Sequence, residues 1–199
     1  MRNAASVTKN SRIFFSNIMA IPTFFSRSPQ RVSILQKHMN MNVSIPCPSS
    51  TRWNLDIQGV NKVYENLQAL KSSLTEIQST SNADHTISEA TGILQYMDND
   101  KFMFWLELFH QIMTHVEVVY NQMQSHEIDV FKADEYVKNF KIAILEIRNS
   151  KYCENPSETL MAEAKEVCDC ISVDIADRYS FTKQLIAAKL FNKKSFTSF

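Results

Sequence analysis

The sequence predicts an all-α protein, a multi-helix bundle, and three observations carry that expectation. Glycine occurs only twice in 199 residues, at Gly59 and Gly92, against an average usage near 7%. The tight turns of hairpin-rich β architecture draw heavily on glycine. Leu, Ile, Met, Lys, Gln and Glu are abundant, and all but Ile are strong helix formers. Along most of the chain apolar residues recur at alternating spacings of 3 and 4, which only a helix brings onto one face. The length suits one domain, or one and a fraction, with a substantial core.

The first element is a helical face over residues 10–21, carried by Ile13, Phe14, Ile18 and Ile21, which Pro22 is expected to kink or end. Ser28 then reads as an N-cap with Pro29 at the first helical position, starting a helix that runs to about Met39. Residues 40–50 hold Pro46, Cys47 and Pro48 and read as an extended connector. From residue 52 to 77 the stripe Val60, Val63, Leu67, Leu70, Leu74, Ile77 predicts one helix, ended by the polar cluster Ser79 to Asn82. A shorter helix over 84–97 follows, with Ile87, Ile93, Leu94 and Met97 as its inner face and Gly92 weakening its middle.

Asp98, Asn99 and Asp100 supply an acidic, capped start for the strongest helix of the chain. Its stripe is Phe102, Trp105, Phe109, Ile112, Val116, Val119 and Met123, widened by Phe104, Leu106, Leu108 and Met113. A stripe that wide places this helix at the centre of a bundle. Residues 125–129 turn the chain, and Val130, Ala133, Val137, Phe140, Ile144 and Ile147 predict another helix, with Asp134 and Lys138 as a surface pair. Asn155 as cap, Pro156 and Glu158 start a further helix with Leu160, Ala164, Val167 and Ile171 inward. Residues 182–192 predict a last helix in a basic, aromatic tail.

Charge divides the chain at Thr51-Arg52-Trp53-Asn54. Residues 1–55 contain seven Lys or Arg and no Asp or Glu, whereas residues 56–199 contain 14 against 21. The neutral total is therefore a cationic arm joined to an acidic body. At the join, an indole able to stack stands beside a guanidinium able to grip a phosphate or carboxylate with two donors. With Arg27, Arg31 and Lys37 of the arm, Arg52 and Trp53 form the candidate nucleic-acid-binding set. Packing of Trp53 against a core, with Arg52 solvated, is the competing reading.

Catalysis is not expected. The acid-free arm supplies no metal-binding carboxylates, and there is no GxSxG, no local Cys/His signature and no Gly-rich phosphate loop. Acid pairs such as Asp134-Glu135 fall on helix surfaces. His110 and His115, five residues apart, diverge on their helix and read as ordinary helix histidines. Cys153, Cys168 and Cys170 lack a fourth ligand at finger-like spacing, so no metal is expected. No cofactor and no small-molecule substrate are implied. Cys47 and the other three cysteines form no disulfide framework and follow no secretory segment, which favours reduced thiols in the cytosol or nucleus. No apolar run approaches the roughly 20 residues needed to cross a bilayer, so no membrane partner is expected.

The ordered set Asn17-Ile18-Met19, Phe24-Phe25-Ser26, Ser28-Pro29-Gln30-Arg31, Ile34-Leu35, Lys37-His38 and Thr51-Arg52-Trp53-Asn54 resembles hAT-superfamily transposases and their host-adopted relatives of the zinc-finger MYM-type protein 1-like group. The likeness spans about residues 13–180. In such transposases an all-α insertion interrupts a ribonuclease-H-like catalytic domain. The resemblance therefore implies that residues 1–50 are an arm with remnant helices of the first catalytic half, residues 51–180 an insertion-type bundle, and residues 181–199 a tail. It also implies DNA contact for Arg52 and Trp53. This sequence departs from the family in having no place for its three catalytic carboxylates, in lacking zinc-finger modules, and in carrying Ser50 where relatives often have Asp.

The sequence thus predicts a non-catalytic, transposase-derived helical protein with DNA as partner and the nucleus as compartment. The alternatives are a helical protein-interaction or self-associating module working through the 102–123 face, in nucleus or cytoplasm, and a mitochondrial protein. The last reads the acid-free start, with its amphipathic run from Arg12 to Met19, as a presequence.

Overall fold

Eight helices occupy the residues that the computed structural model describes, which are 7–39, 53–123, 130–150 and 156–178. They are α1 (Lys9–Ser26), α2 (Pro29–His38), α3 (Trp53–Glu65), α4 (Leu67–Thr80), α5 (Asp84–Met97), α6 (Asp100–Met123), α7 (Val130–Asn149) and α8 (Glu158–Arg178). No strand occurs among the described residues. The expected connector over 40–50, the turn over 125–129, Asn155 and the helix over 182–192 lie outside them.

Helix α6 is the centre that its wide stripe predicts: it packs against α1, α3, α5 and α7. Phe102, Phe104, Trp105, Leu106, Leu108, Phe109, Ile112, Met113 and Val116 are all buried. The apolar face over 102–116 is therefore spent inside the bundle, which argues against a partner docking there. Around α6 the chain closes through α2 on α4, α4 on α5, and α7 on α8.

Aromatic rings tie α1 to α6. Phe14 stacks on Phe109 with centroids 5.3 Å apart and planes 11° apart, and meets Phe102 at 5.5 Å. Phe15 meets Phe109 edge-on at 4.6 Å, and Trp105 lies over Phe109 at 5.7 Å. Such pairs are each worth about 0.5–1.5 kcal/mol beyond the area they bury.

Four local expectations are corrected. Pro22 does not end α1, which runs through it to Ser26. Phe24 and Phe25 beyond it are buried, and burying two such side chains, at about 1.5–3 kcal/mol each, offsets the roughly 3 kcal/mol that an interior proline costs. Ile13, expected inward, is 47% exposed, and the inner face of α1 is instead Phe14, Ile18, Ile21, Phe24 and Phe25. The single helix expected over 52–77 is two, divided at Asn66. There the Asn66 side-chain amide donates to the Lys62 carbonyl at 2.9 Å, the competition with helical bonding that asparagine offers. The apolar stripe stays in phase across the break and so gives no warning of it. Finally, α8 starts at Glu158 rather than at Pro156, and the Ser157 hydroxyl accepts from the Leu160 backbone N–H at 3.3 Å.

Other expectations hold. Ser28 is extended, with Pro29 at the start of α2. The Asp134–Lys138 pair closes at 2.7 Å.

Candidate functional site at the basic helix junction

The turn between α1 and α2 gathers two of the five residues expected to bind nucleic acid, Arg27 and Arg31. Pro29 fixes the first dihedral of α2 and starts it abruptly after Ser28, so Arg31 lies one turn in and folds back over the end of α1. Its Nη1 donates to the Phe24 carbonyl at 3.0 Å, and its Nη2 donates to Thr86 Oγ1 of α5 at 2.7 Å. The guanidinium carbon stands 4.2 Å from the Phe24 ring centroid, a cation–π contact.

Both arginines of the turn converge on one carboxylate of α5. Arg27 Nη1 lies 2.8 Å from Glu89 Oε1, and Arg31 Nη1 lies 3.6 Å from Glu89 Oε2. Lys37, at the far end of α2, donates to both oxygens of Glu76 on α4 at 2.9 Å. His38 Nε2 sits 2.7 Å from Glu76 Oε2. The hydrogen bonds from Lys37 and then His38 hold the Glu76 carboxyl below its ordinary value.

The charge asymmetry of the sequence is thus answered within the fold: cations of the acid-free arm meet carboxylates of the acidic body. Arg27, Arg31 and Lys37 are each engaged by Glu76 or Glu89. Arg52 lies outside the described residues. Trp53 is described only as the residue that opens α3, its side chain not included. How Arg52 and the Trp53 side chain stand to the other three lies outside the described residues. Among the described residues of the arm, Lys9 and Arg12 of α1 are exposed and form no ion pair.

A second polar cluster, between α3 and α6, escaped the sequence reading. The His110 ring stacks on Tyr64 with centroids 3.8 Å and planes 10° apart. His110 Nδ1 is 3.0 Å from Asn61 Oδ1, and the Asn61 amide donates to Glu117 Oε2 at 3.3 Å. A hydrogen bond to Glu107, with burial next, raises the Tyr64 hydroxyl above its ordinary value. The signal was available: Asn61 and Tyr64 on α3, and Glu107, His110 and Glu117 on α6, lie at helical spacing beside the apolar stripes. These residues form an orienting chain from carboxylate to amide to imidazole. No serine or cysteine takes part in it, so it lacks a nucleophile.

The Cys168 thiol is buried, which pushes it up to about 12 and makes it a poor nucleophile. Among the described residues no group of His, Cys, Asp and Glu is placed to hold a metal ion, and no helix is long and apolar enough to cross a membrane. Comparison of the chain with protein-family models, with curated proteins and with solved structures gave no match.

Proposed function

We propose that this chain is a non-catalytic helical module of hAT-transposase descent, whose task is to hold DNA in the nucleus through Arg52 and Trp53. The observation that carries the reading is the Arg52-Trp53 pair at the join between an arm with no Asp or Glu and an acidic body. A guanidinium and an indole at that point add a charged donor and a stacking surface for a base. The resemblance of the ordered motif set to hAT transposases, and an all-helical bundle of the kind it implies, support the same reading. Because Arg27, Arg31 and Lys37 already hold carboxylates, the electrostatic share of binding falls to Arg52 with Lys9 and Arg12.

Fluorescence anisotropy with labelled single- and double-stranded oligonucleotides, between 50 and 200 mM salt, tests the proposal. Affinity falls steeply with salt in the native chain, and Arg52→Ala lowers the logarithmic slope by about 1. Adding Trp53→Ala removes a further ~1–3 kcal/mol of stacking. Binding that is absent, or equal in the double variant, refutes the reading.

A second reading, a protein-interaction module, is favoured by Ile142 and Leu145, which stand 57% and 56% exposed three residues apart on α7. Salt-insensitive self-association, lost in Ile142→Asp and measured by sedimentation, is its signature.

A further inference from the structure

The turn between α1 and α2 reads Arg27-Ser28-Pro29-Gln30-Arg31, and the fold uses only part of what it carries. Of the five prolines in the chain, Pro29 alone follows a serine or threonine. Ser28 holds an extended backbone, at φ −147° and ψ 127°, and its hydroxyl makes no capping hydrogen bond to α2. It has no other side-chain partner among the described residues. A serine at a helix start ordinarily accepts a backbone N–H of the first turn, so capping does not account for this hydroxyl.

Ser28 borders a half-open cleft of about 470 Å³ between α2, α4 and α5. Ile34 and Ile77 form its apolar part, and among the described residues that line it Arg31 is the only charged one. Arg31 stands three residues after Ser28, the spacing at which a first-turn side chain reaches back toward the cap. It keeps N–H donors beyond those given to Phe24 and Thr86. Arg27, directly before Ser28, has a side chain 56% exposed, and its pair with Glu89 is weak enough at that exposure to be exchanged.

An unengaged hydroxyl, a proline directly after it and an arginine on either side suit an acceptor of phosphate. Proline supplies no N–H, so the enzyme that takes this segment has a subsite that needs no acceptor there, and an acidic group for the cation two residues further on. We infer that Ser28 is a phosphorylation site, modified by a proline-directed protein kinase, and that its phosphate lies in the cleft on Arg31 and Arg27. The γ-phosphoryl group of ATP passes to Ser28 Oγ: the new O–P bond replaces the bond to ADP, which departs, and the hydroxyl proton is released. Such an enzyme takes an extended segment. Ser28 is already extended, and residues 29–31 join it by opening the first turn of α2, whose N–H groups have no partner within the helix. The added charge of about −1.5 to −2, with three acceptor oxygens, then ties the turn to both arginines. The inference does not depend on the DNA contact proposed above.

The test incubates the full chain with ATP and a kinase of the cyclin-dependent class. Mass spectrometry finds a phosphate on Ser28, absent in Ser28→Ala and formed at least about tenfold more slowly in Pro29→Ala. The phosphorylated chain melts about 2–4 °C higher than the unmodified one, and Arg27→Ala, at an exposed position, shrinks that gain. No phosphate on Ser28, or a rate that Pro29→Ala leaves unchanged, overturns the inference. So does a melting temperature that the phosphate leaves unmoved or lowers, or a gain that Arg27→Ala leaves whole.

Discussion

Replacing Arg31 with alanine is expected to destabilise the fold by about 3 kcal/mol, and the magnitude follows from what its guanidinium touches. The side chain is only 14% exposed, so solvent screens it little. It makes hydrogen bonds of 3.0 Å to the Phe24 carbonyl and 2.7 Å to Thr86; bonds from a charged donor are worth about 1.5–3 kcal/mol. The contact over the Phe24 ring adds roughly 0.5–2 kcal/mol. The loss also leaves Glu89 Oε2, a buried atom with no hydrogen bond of its own, without its nearest cation. Arg27 does not make up the difference, because it holds the other oxygen from a side chain 56% exposed, where an ion pair contributes little. Urea unfolding followed by circular dichroism reads the change. With a slope of about 2 kcal/mol per molar, the midpoint drops by about 1.5 M while the slope stays constant. Arg31→Lys keeps the charge but not the planar fork, and recovers less than half. A loss below about 0.5 kcal/mol for Arg31→Ala, the level of an ordinary surface substitution, would refute the view that this residue clamps α1, α2 and α5 together.

Three further outcomes are expected. Gly92→Ala stabilises the protein by about 0.5–1 kcal/mol in the same unfolding assay, because an added Cβ meets nothing within 4 Å and the helix gains a better former; a destabilised variant contradicts this. Glu76→Gln lowers the melting temperature at neutral pH, and the gap from the native chain closes with acid. Since the folded carboxyl sits below its ordinary value of 4.5, its contribution is fully present above that pH and is lost as pH falls through the folded value. A gap that stays constant from pH 6 to pH 3 contradicts the assignment. Deleting residues 1–27 abolishes cooperative melting, because Phe14, Ile18, Ile21, Phe24 and Phe25 leave the core together. At about 2–5 kcal/mol each they exceed the 5–15 kcal/mol stability of an ordinary domain. A deletion that still melts cooperatively contradicts this and supports the presequence alternative.

Much of the fold was legible because helical packing writes itself into spacing. Phe102, Trp105, Phe109, Ile112 and Val116 stand 3 or 4 apart and all face inward, so pattern alone placed α6 at the centre. The break at Asn66 was hidden because α3 and α4 keep the apolar stripe in register across it, and the division is marked by the non-helical backbone of Asn66 and its side-chain bond to the Lys62 carbonyl. Pro22 was expected to kink or end α1; it does not end it, because the burial of Phe24 and Phe25 beyond it outweighs the local cost. The site was harder to read. A run without acids looks like a surface waiting for an anion, and nothing in linear order says that Glu76 and Glu89, some 40 to 60 residues later, supply the counter-charge to Lys37, Arg27 and Arg31. The His110, Tyr64 and Asn61 cluster depends on two helices meeting side by side, and neither helix announces it alone.

DNA contact is proposed for Arg52 and Trp53 and a holding role for Arg31, and one crossed experiment separates the two. DNA affinity and urea midpoint are measured on the same preparations of the native chain, Arg52→Ala/Trp53→Ala and Arg31→Ala. The first variant is expected to lose at least about tenfold in affinity with an unchanged midpoint, whereas the second loses stability but binds DNA normally under conditions where it is folded. Native affinity in the Arg52→Ala/Trp53→Ala variant, or weakened binding by Arg31→Ala under conditions where it is folded, would contradict this division.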